Sequence, residues 1–200
     1  MKCLVVASGH TVWKDLEAYG WMPQPTDQSA PVDVMAVNDM IIHFPGRLKH
    51  AYTNDWKMLM KWVNARRPRY VRNWHENIKL HTCRMGVHGA IESHKLPGTG
   101  TSSMNALIVA VRLGYDEIVG LGMPMDNGPH YFDPPWVKTN FENECRDLPD
   151  GEIRYWSNAF QKHFEGKVRI MSGRLAEWAV KNGYQSSLGM PSSRESQQTA

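Results

Sequence analysis

The stretch Pro97-Gly98-Thr99-Gly100-Thr101-Ser102-Ser103, continued through Leu113-Gly114 to Glu117-Ile118-Val119-Gly120-Leu121, decides the fold. Thr101 or Ser102 supplies an N-cap hydroxyl. Met104, Leu107, Ile108 and Val111 repeat at helical spacing, and Gly114 stands where a left-handed C-cap is wanted. Ala106, Val109 and Ala110 make the rest of that helix nearly apolar, which predicts burial on all sides. Residues 117–121 then read as a central strand. Loop, buried helix and central strand together form the middle of a doubly wound α/β unit.

Outward from this unit, short β-branched runs alternate with helical segments. Residues 2–7 read as a first buried strand, 32–37 as a second, 50–53 as a short third and 168–171 as a last one. Helices are expected at 12–19, from Asn54 or Asp55 to Arg66, through Ile153, Trp156, Phe160 and Phe164, and at 174–182. Trp56, Leu59, Met60 and Val63 mark the buried face of the second of these. Pro68 ends it, and 70–73 reads as a fourth strand. Residues 74–97 show little periodicity and predict irregular structure with at most a short strand or two. The expected fold is a Rossmann-like three-layer sandwich with a mainly parallel sheet. It is a single nucleotide-binding domain over 1–184, with a lid-like insert at 122–150 and a disordered Ser/Gln-rich tail at 185–200.

Composition narrows the class. The chain has 200 residues, 42% hydrophobic and 22% charged, which suits one soluble domain. No apolar run approaches the roughly 18–20 residues that span a bilayer. The opening Met1-Lys2-Cys3-Leu4-Val5-Val6 is too short for a signal peptide, so the expected location is the cytoplasm. The three cysteines are far apart, with no metal or disulfide spacing. A net charge of +3 and the cluster Arg66, Arg67, Arg69 and Arg72 bring no aromatic-interleaved motif with them, so nucleic acid is not the expected partner. Oligomeric state is not legible.

The Gly/Thr/Ser loop carries the most chemistry. Small residues let a ligand approach the backbone, and a helix N-terminus presents unpaired N–H groups to a phosphate. The loop is neither a Walker A motif nor a dinucleotide fingerprint, and an ordinary capped helix start is the alternative. Ser8-Gly9-His10-Thr11 follows the first strand and Asn38-Asp39 the second. Open α/β sheets bind ligands beyond the carboxyl ends of their strands, so these loops and the turn after Leu121 are expected to converge. Asn38 and Asp39 suit a ribose or base, or else cap the segment at Met40.

Four blocks then carry a family resemblance. They are Val5-Val6-Ala7-Ser8-Gly9, Val37-Asn38-Asp39, Tyr52-Thr53-Asn54-Asp55, and Thr101-Ser102-Ser103 through Ala110-Val111-Arg112-Leu113-Gly114-Tyr115-Asp116-Glu117-Ile118-Val119-Gly120-Leu121-Gly122. In this order they resemble the small bacterial sialyltransferases that use a CMP-sugar donor, and the related 6-hydroxymethylpterin diphosphokinase-like proteins. The compact architecture also looks like hypothetical proteins of phages and prophages, implying a phage protein. The resemblance implies Ser8 and Gly9 beside the donor phosphates, and Asn38 near the nucleotide. It also implies Asn54 facing the donor, Thr101, Ser102 and Ser103 holding phosphate or the transferred group, and Tyr131 stabilising the leaving phosphate, while Gly100 of the same loop is a further phosphate-binding candidate. The family's Asp falls here on Pro124, with Asp126 two residues on. Its catalytic His has no match, Trp156-Ser157 occupying that place.

The function expected is therefore a transferase with a nucleotide or nucleotide-sugar donor and a hydroxyl acceptor, most simply a glycosyltransferase. His130 is the expected general base, since a near-neutral histidine suits deprotonating a hydroxyl. Asp126 and Tyr131 are the further catalytic candidates. Asp126 and Asp133 are weak candidates for Mg²⁺, which the alternative, an ATP-dependent diphosphokinase-like phosphotransferase, requires. A non-catalytic nucleotide-binding accessory protein is the third reading. His75, His81, His88 and His94 fit no standard zinc spacing and read as solvated or core-edge histidines. Trp56, Trp156 and Trp178 read as core, and Trp136 as part of an acceptor lid.

Overall fold

Cys3-Leu4-Val5-Val6 is apolar at every position, as a strand covered on both faces must be. In the computed structural model all four are fully buried. The structure describes residues 1–24, 32–66, 77–85, 91–96, 100–126, 129–132 and 150–186, with side chains of the last segment from 154. Among them seven parallel strands form one sheet: β1 (Lys2–Val6), β2 (Asp33–Val37), β3 (His50–Thr53), β4 (Lys79–Thr82), β5 (Ile91–Ser93), β6 (Glu117–Leu121) and β7 (Val168–Ile170). Their order is β5-β4-β3-β2-β1-β6-β7. The expected Rossmann-like sandwich is present, and its sheet is parallel throughout.

Alternation along the strands sorts the two helical layers. Leu4 and Val6 join a cluster containing Val12 and Leu16 of α1 (Val12–Tyr19), Met40 of α2 (Met40–His43) and Leu59 of α3 (Trp56–Arg66). Cys3 and Val5 join the opposite cluster, with α4 (Ser102–Arg112), α5 (Asp150–Lys162) and α6 (Gly173–Lys181). Right-handed crossovers explain this separation: the chain steps from β1 outward to β5, then reverses through α4 to β6. The return passes over the sheet, so Met104 to Val111 are all buried. Trp156 is core, as expected, and Trp178 packs half-buried against it.

Several expectations change. Helix α3 buries Leu59 and Val63 of the expected face together with Arg66, whereas Trp56 and Met60, expected on that face, are 36% and 42% exposed. Arg66 reaches inward because its guanidinium donates to three carbonyls in and just after the short α2: Ile41 and Phe44 (3.0 and 2.6 Å) and Gly46 (2.5 Å). Two strands, β4 and β5, occupy the region read as mostly irregular. Gln185, placed in the tail, instead pairs its side-chain amide with the edge of β7: it donates to the Ile170 carbonyl and accepts from the Ile170 N–H, both at 2.9 Å. The strand expected at 70–73, Arg67, Arg69, Arg72, most of the lid and the tail from 187 lie outside the described residues. No helix of the described residues is long and apolar enough to cross a membrane.

Arg66→Met keeps the side chain's bulk and strands three buried carbonyls. It should lower unfolding free energy by about 3 kcal/mol, measured by urea denaturation.

Candidate functional site

The order in which strands are added reverses between β1 and β6, and their two ends are joined backbone to backbone. The Ala7 N–H donates to the Leu121 carbonyl (2.9 Å) and the Gly9 N–H to the Gly122 carbonyl (3.0 Å). A side chain would not fit here: a Cβ on Gly9 would lie 2.5 Å from Pro124 Cδ, and one on Gly122 would strike the Ala7 carbonyl. Gly122 also has φ +65°, a conformation that favours glycine. Its N–H donates to Asp15 Oδ2 (2.8 Å), which also accepts from the Thr11 hydroxyl (3.1 Å). Asp15 is 1% exposed, and burial raises its pKa against the opposing pull of the Ser172 hydroxyl, the Gly122 N–H and the Thr11 hydroxyl.

Beyond this junction lies a cavity of about 440 Å³. Ser8 and Gly9 line it from β1, and Asn38 and Asp39 from β2. Thr101, Ser102 and Ser103 line it from the start of α4, and Met123, Met125, Asp126 and His130 from the chain after β6. The expected convergence of strand-end loops is thus what the chain forms. Asn38 takes φ +55°, which asparagine tolerates, and its Oδ1 accepts from the Thr53 hydroxyl (2.9 Å). Asp39 begins α2 without a capping hydrogen bond, and its Oδ1 is buried with no partner among the described residues. Trp62 of α3 adds an aromatic wall.

Thr101 is the N-cap of α4: its hydroxyl accepts from the Met104 N–H (3.2 Å). The N–H groups of Ser102 and Ser103 open the first turn of α4 and have no acceptor within the helix, as the geometry of any helix start dictates. Ser102 Oγ accepts from the Asn54 N–H (3.4 Å). No lysine or arginine stands among the described residues that line the cavity.

Some candidates are placed elsewhere. Asn54 does not line the cavity; it ties β3 to α4, donating to the Gly100 carbonyl (3.0 Å) and accepting from Tyr52 and Asn105 (2.8 and 3.1 Å). Gly100 lies beneath it, against Met104. Tyr131 packs edge-on against Trp13 (5.1 Å) and His43 (5.8 Å), outside the lining. Its N–H donates to the Ser8 carbonyl (3.0 Å), and His130 pairs with Gly9 in an antiparallel bridge, so this segment is laid along the β1 loop. His10 Nδ1 stands 3.5 Å from Asp126 Oδ1. Asp133, Trp136, His75 and His88 lie outside the described residues. Trp62 and the two methionines escaped notice in the sequence, because nothing there separates a cavity wall from core.

No family model matches the chain, and neither a curated protein nor a solved structure matches it.

Asp15 links proton binding to the junction. Its folded pKa lies above the unfolded value, so its contribution to stability is complete below the unfolded pKa and is lost as pH rises through the folded one. Asp15→Asn keeps an acceptor for Gly122 without the charge. It should gain stability relative to the wild type as pH rises from about 4 to 7, read from paired urea titrations.

Proposed function

We propose that the chain is a transferase that binds a nucleotide-activated donor in this cavity, its phosphate at the N-terminus of α4. The observation that carries the reading is the convergence of three strand-end loops and one helix start on a single cavity at the sheet reversal, where open α/β sheets place ligands. Its volume lies within the ordinary range for small-molecule sites.

Charge selects among donors. Asp39 and Asp126 bring carboxylates to a lining whose described residues include no cationic Lys or Arg. A helix N-terminus offers only about half a positive charge. That balance suits one phosphodiester charge, as in a nucleoside monophosphate linked to a sugar, better than a triphosphate. The carboxylates then serve as acceptors for ribose or sugar hydroxyls, and Trp62 and the methionines as apolar cover for the base.

In the transfer, the acceptor hydroxyl oxygen attacks the activated carbon while the bond from that carbon to the phosphate oxygen breaks. His130 takes the hydroxyl proton, and the nucleoside monophosphate leaves with the bonding pair, its charge met by the Ser102 and Ser103 N–H groups.

Thermal-shift titration with CMP, UDP, GDP and ATP, each with EDTA and with Mg²⁺, tests the reading. A nucleoside monophosphate should raise the melting temperature without Mg²⁺; no shift with any nucleotide overturns it. Ser103→Asp separates binding from folding, since a carboxylate in the first turn favours the helix but repels phosphate. It should preserve the ligand-free melting temperature while weakening nucleotide affinity by about tenfold or more. With a CMP-sugar donor, His130→Ala should reduce turnover by roughly 10²–10⁴-fold, measured as CMP release.

A further inference from the structure

A second polar centre lies at the other end of the sheet, and none of its residues lines the cavity. Tyr115 donates its proton to Asp33 Oδ2 (2.7 Å). Its oxygen lies 2.8 Å from His50 Nε2, so that nitrogen must be the donor of the pair. A neutral His50 then has a bare Nδ1, which lies 2.9 Å from His81 Nε2 and must accept from it. The same step leaves His81 Nδ1 bare. That lone pair faces Glu92 Oε2 at 3.3 Å and His94 Nε2 at 3.0 Å. Three acceptor-type groups thus converge, and only His94 can supply a proton to the space between them.

We propose that His81 Nδ1, the Glu92 carboxylate and His94 Nε2 bind a divalent transition-metal ion of the zinc class. Strand geometry builds the set. His81 and Glu92 are direct cross-strand partners of β4 and β5, and His94 follows Glu92 by two residues on the same face. The His94 N–H donates to the Thr82 carbonyl (2.8 Å), continuing the ladder past the end of β5. The three ligand atoms lie within 4.8 Å of one another. Tetrahedral zinc with bonds of about 2.0–2.1 Å separates its ligands by about 3.3 Å, so the two separations from His81 already suit it. Two imidazoles and a carboxylate favour zinc over Mg²⁺ or Ca²⁺, which prefer all-oxygen shells.

The buried relay behind the set is what a metal-binding histidine requires. A ligating imidazole usually donates its other N–H to a partner that fixes its tautomer. Here His81 donates to His50, His50 to Tyr115 and Tyr115 to Asp33, so the nitrogen aimed at Glu92 and His94 is the unprotonated one. Burial supports the same state, lowering His81 to about 3 and His50 to about 4. The ion would fasten β5, at one edge of the described sheet, to its neighbour β4.

Tag-free full-length protein, stripped with EDTA and titrated with ZnCl₂, should retain one equivalent of zinc per chain through gel filtration. CoCl₂ should give the visible absorption of a four-coordinate nitrogen and oxygen site. Glu92 is half exposed and His94 half buried at the sheet edge, so Glu92→Gln and His94→Gln can be made without opening the core. Each should weaken zinc binding at least tenfold with an unchanged circular dichroism spectrum. Tyr115→Phe, which touches no metal, should weaken it about tenfold through the relay. No zinc retained by the wild type overturns the proposal. So does undiminished affinity in the Glu92→Gln/His94→Gln double variant, which would place the metal on other histidines or cysteines of the chain.

Discussion

The contact between the ends of β1 and β6 is the constraint on which the rest of this structure depends. Two backbone hydrogen bonds join the strand ends, and the space between them admits no Cβ at Gly9 or Gly122. Gly122 is turned into a left-handed conformation, and a buried carboxylate from α1 receives its N–H. An unmet amide in that position would cost about 1–3 kcal/mol, which is why an acid is tolerated in a mainly apolar layer. Because the two strands close on each other without side chains between them, the crevice opens directly beyond their ends. The segment carrying His130 is then held along its rim by pairing with Gly9.

How much of this is legible in the sequence depends on where the information lies. The α4–β6 unit is local: periodicity, a capping threonine and a C-terminal glycine at φ +85° all act within a few residues, and all are readable. Doubly buried β1 and β2 announce themselves as continuous apolar runs. Strands β4 and β5 do not, because Lys79-Leu80-His81-Thr82 and Ile91-Glu92-Ser93 each carry one apolar residue. Three or four residues hold no period to detect, and the buried position of β4 beside Leu80 is given to a histidine of the relay, His81. In α3 the seventh step of the buried face is an arginine, which apolar counting assigns to solvent.

The candidate site was legible at the level of loops and less so at the level of side chains. Topology alone brings residues 8–9, 38–39 and 101–103 together, since strand ends on one edge must converge. Which way a side chain turns is a tertiary matter. Asn54 stands in a motif that suggests ligand contact, yet its amide is consumed by Gly100, Tyr52 and Asn105. Tyr131 sits beside a cavity-lining residue, and its ring packs on α1 and α2 instead.

That use of Asn54 bears on how the helix start works. An N-terminal turn stabilises developing negative charge only if its N–H groups are already aimed, since reorienting them during reaction would cost what the interaction gains. Here Thr101 fixes the turn from within, and Asn54 fixes it from β3 by holding both Gly100 and Ser102. Asn54 is in turn held by Tyr52, a residue whose hydroxyl is buried against the core. In the proposed transfer Asn54 therefore contributes at one remove. It keeps the donors of α4 rigid, which matters most in a cavity whose described lining supplies no cation to do the same work by charge.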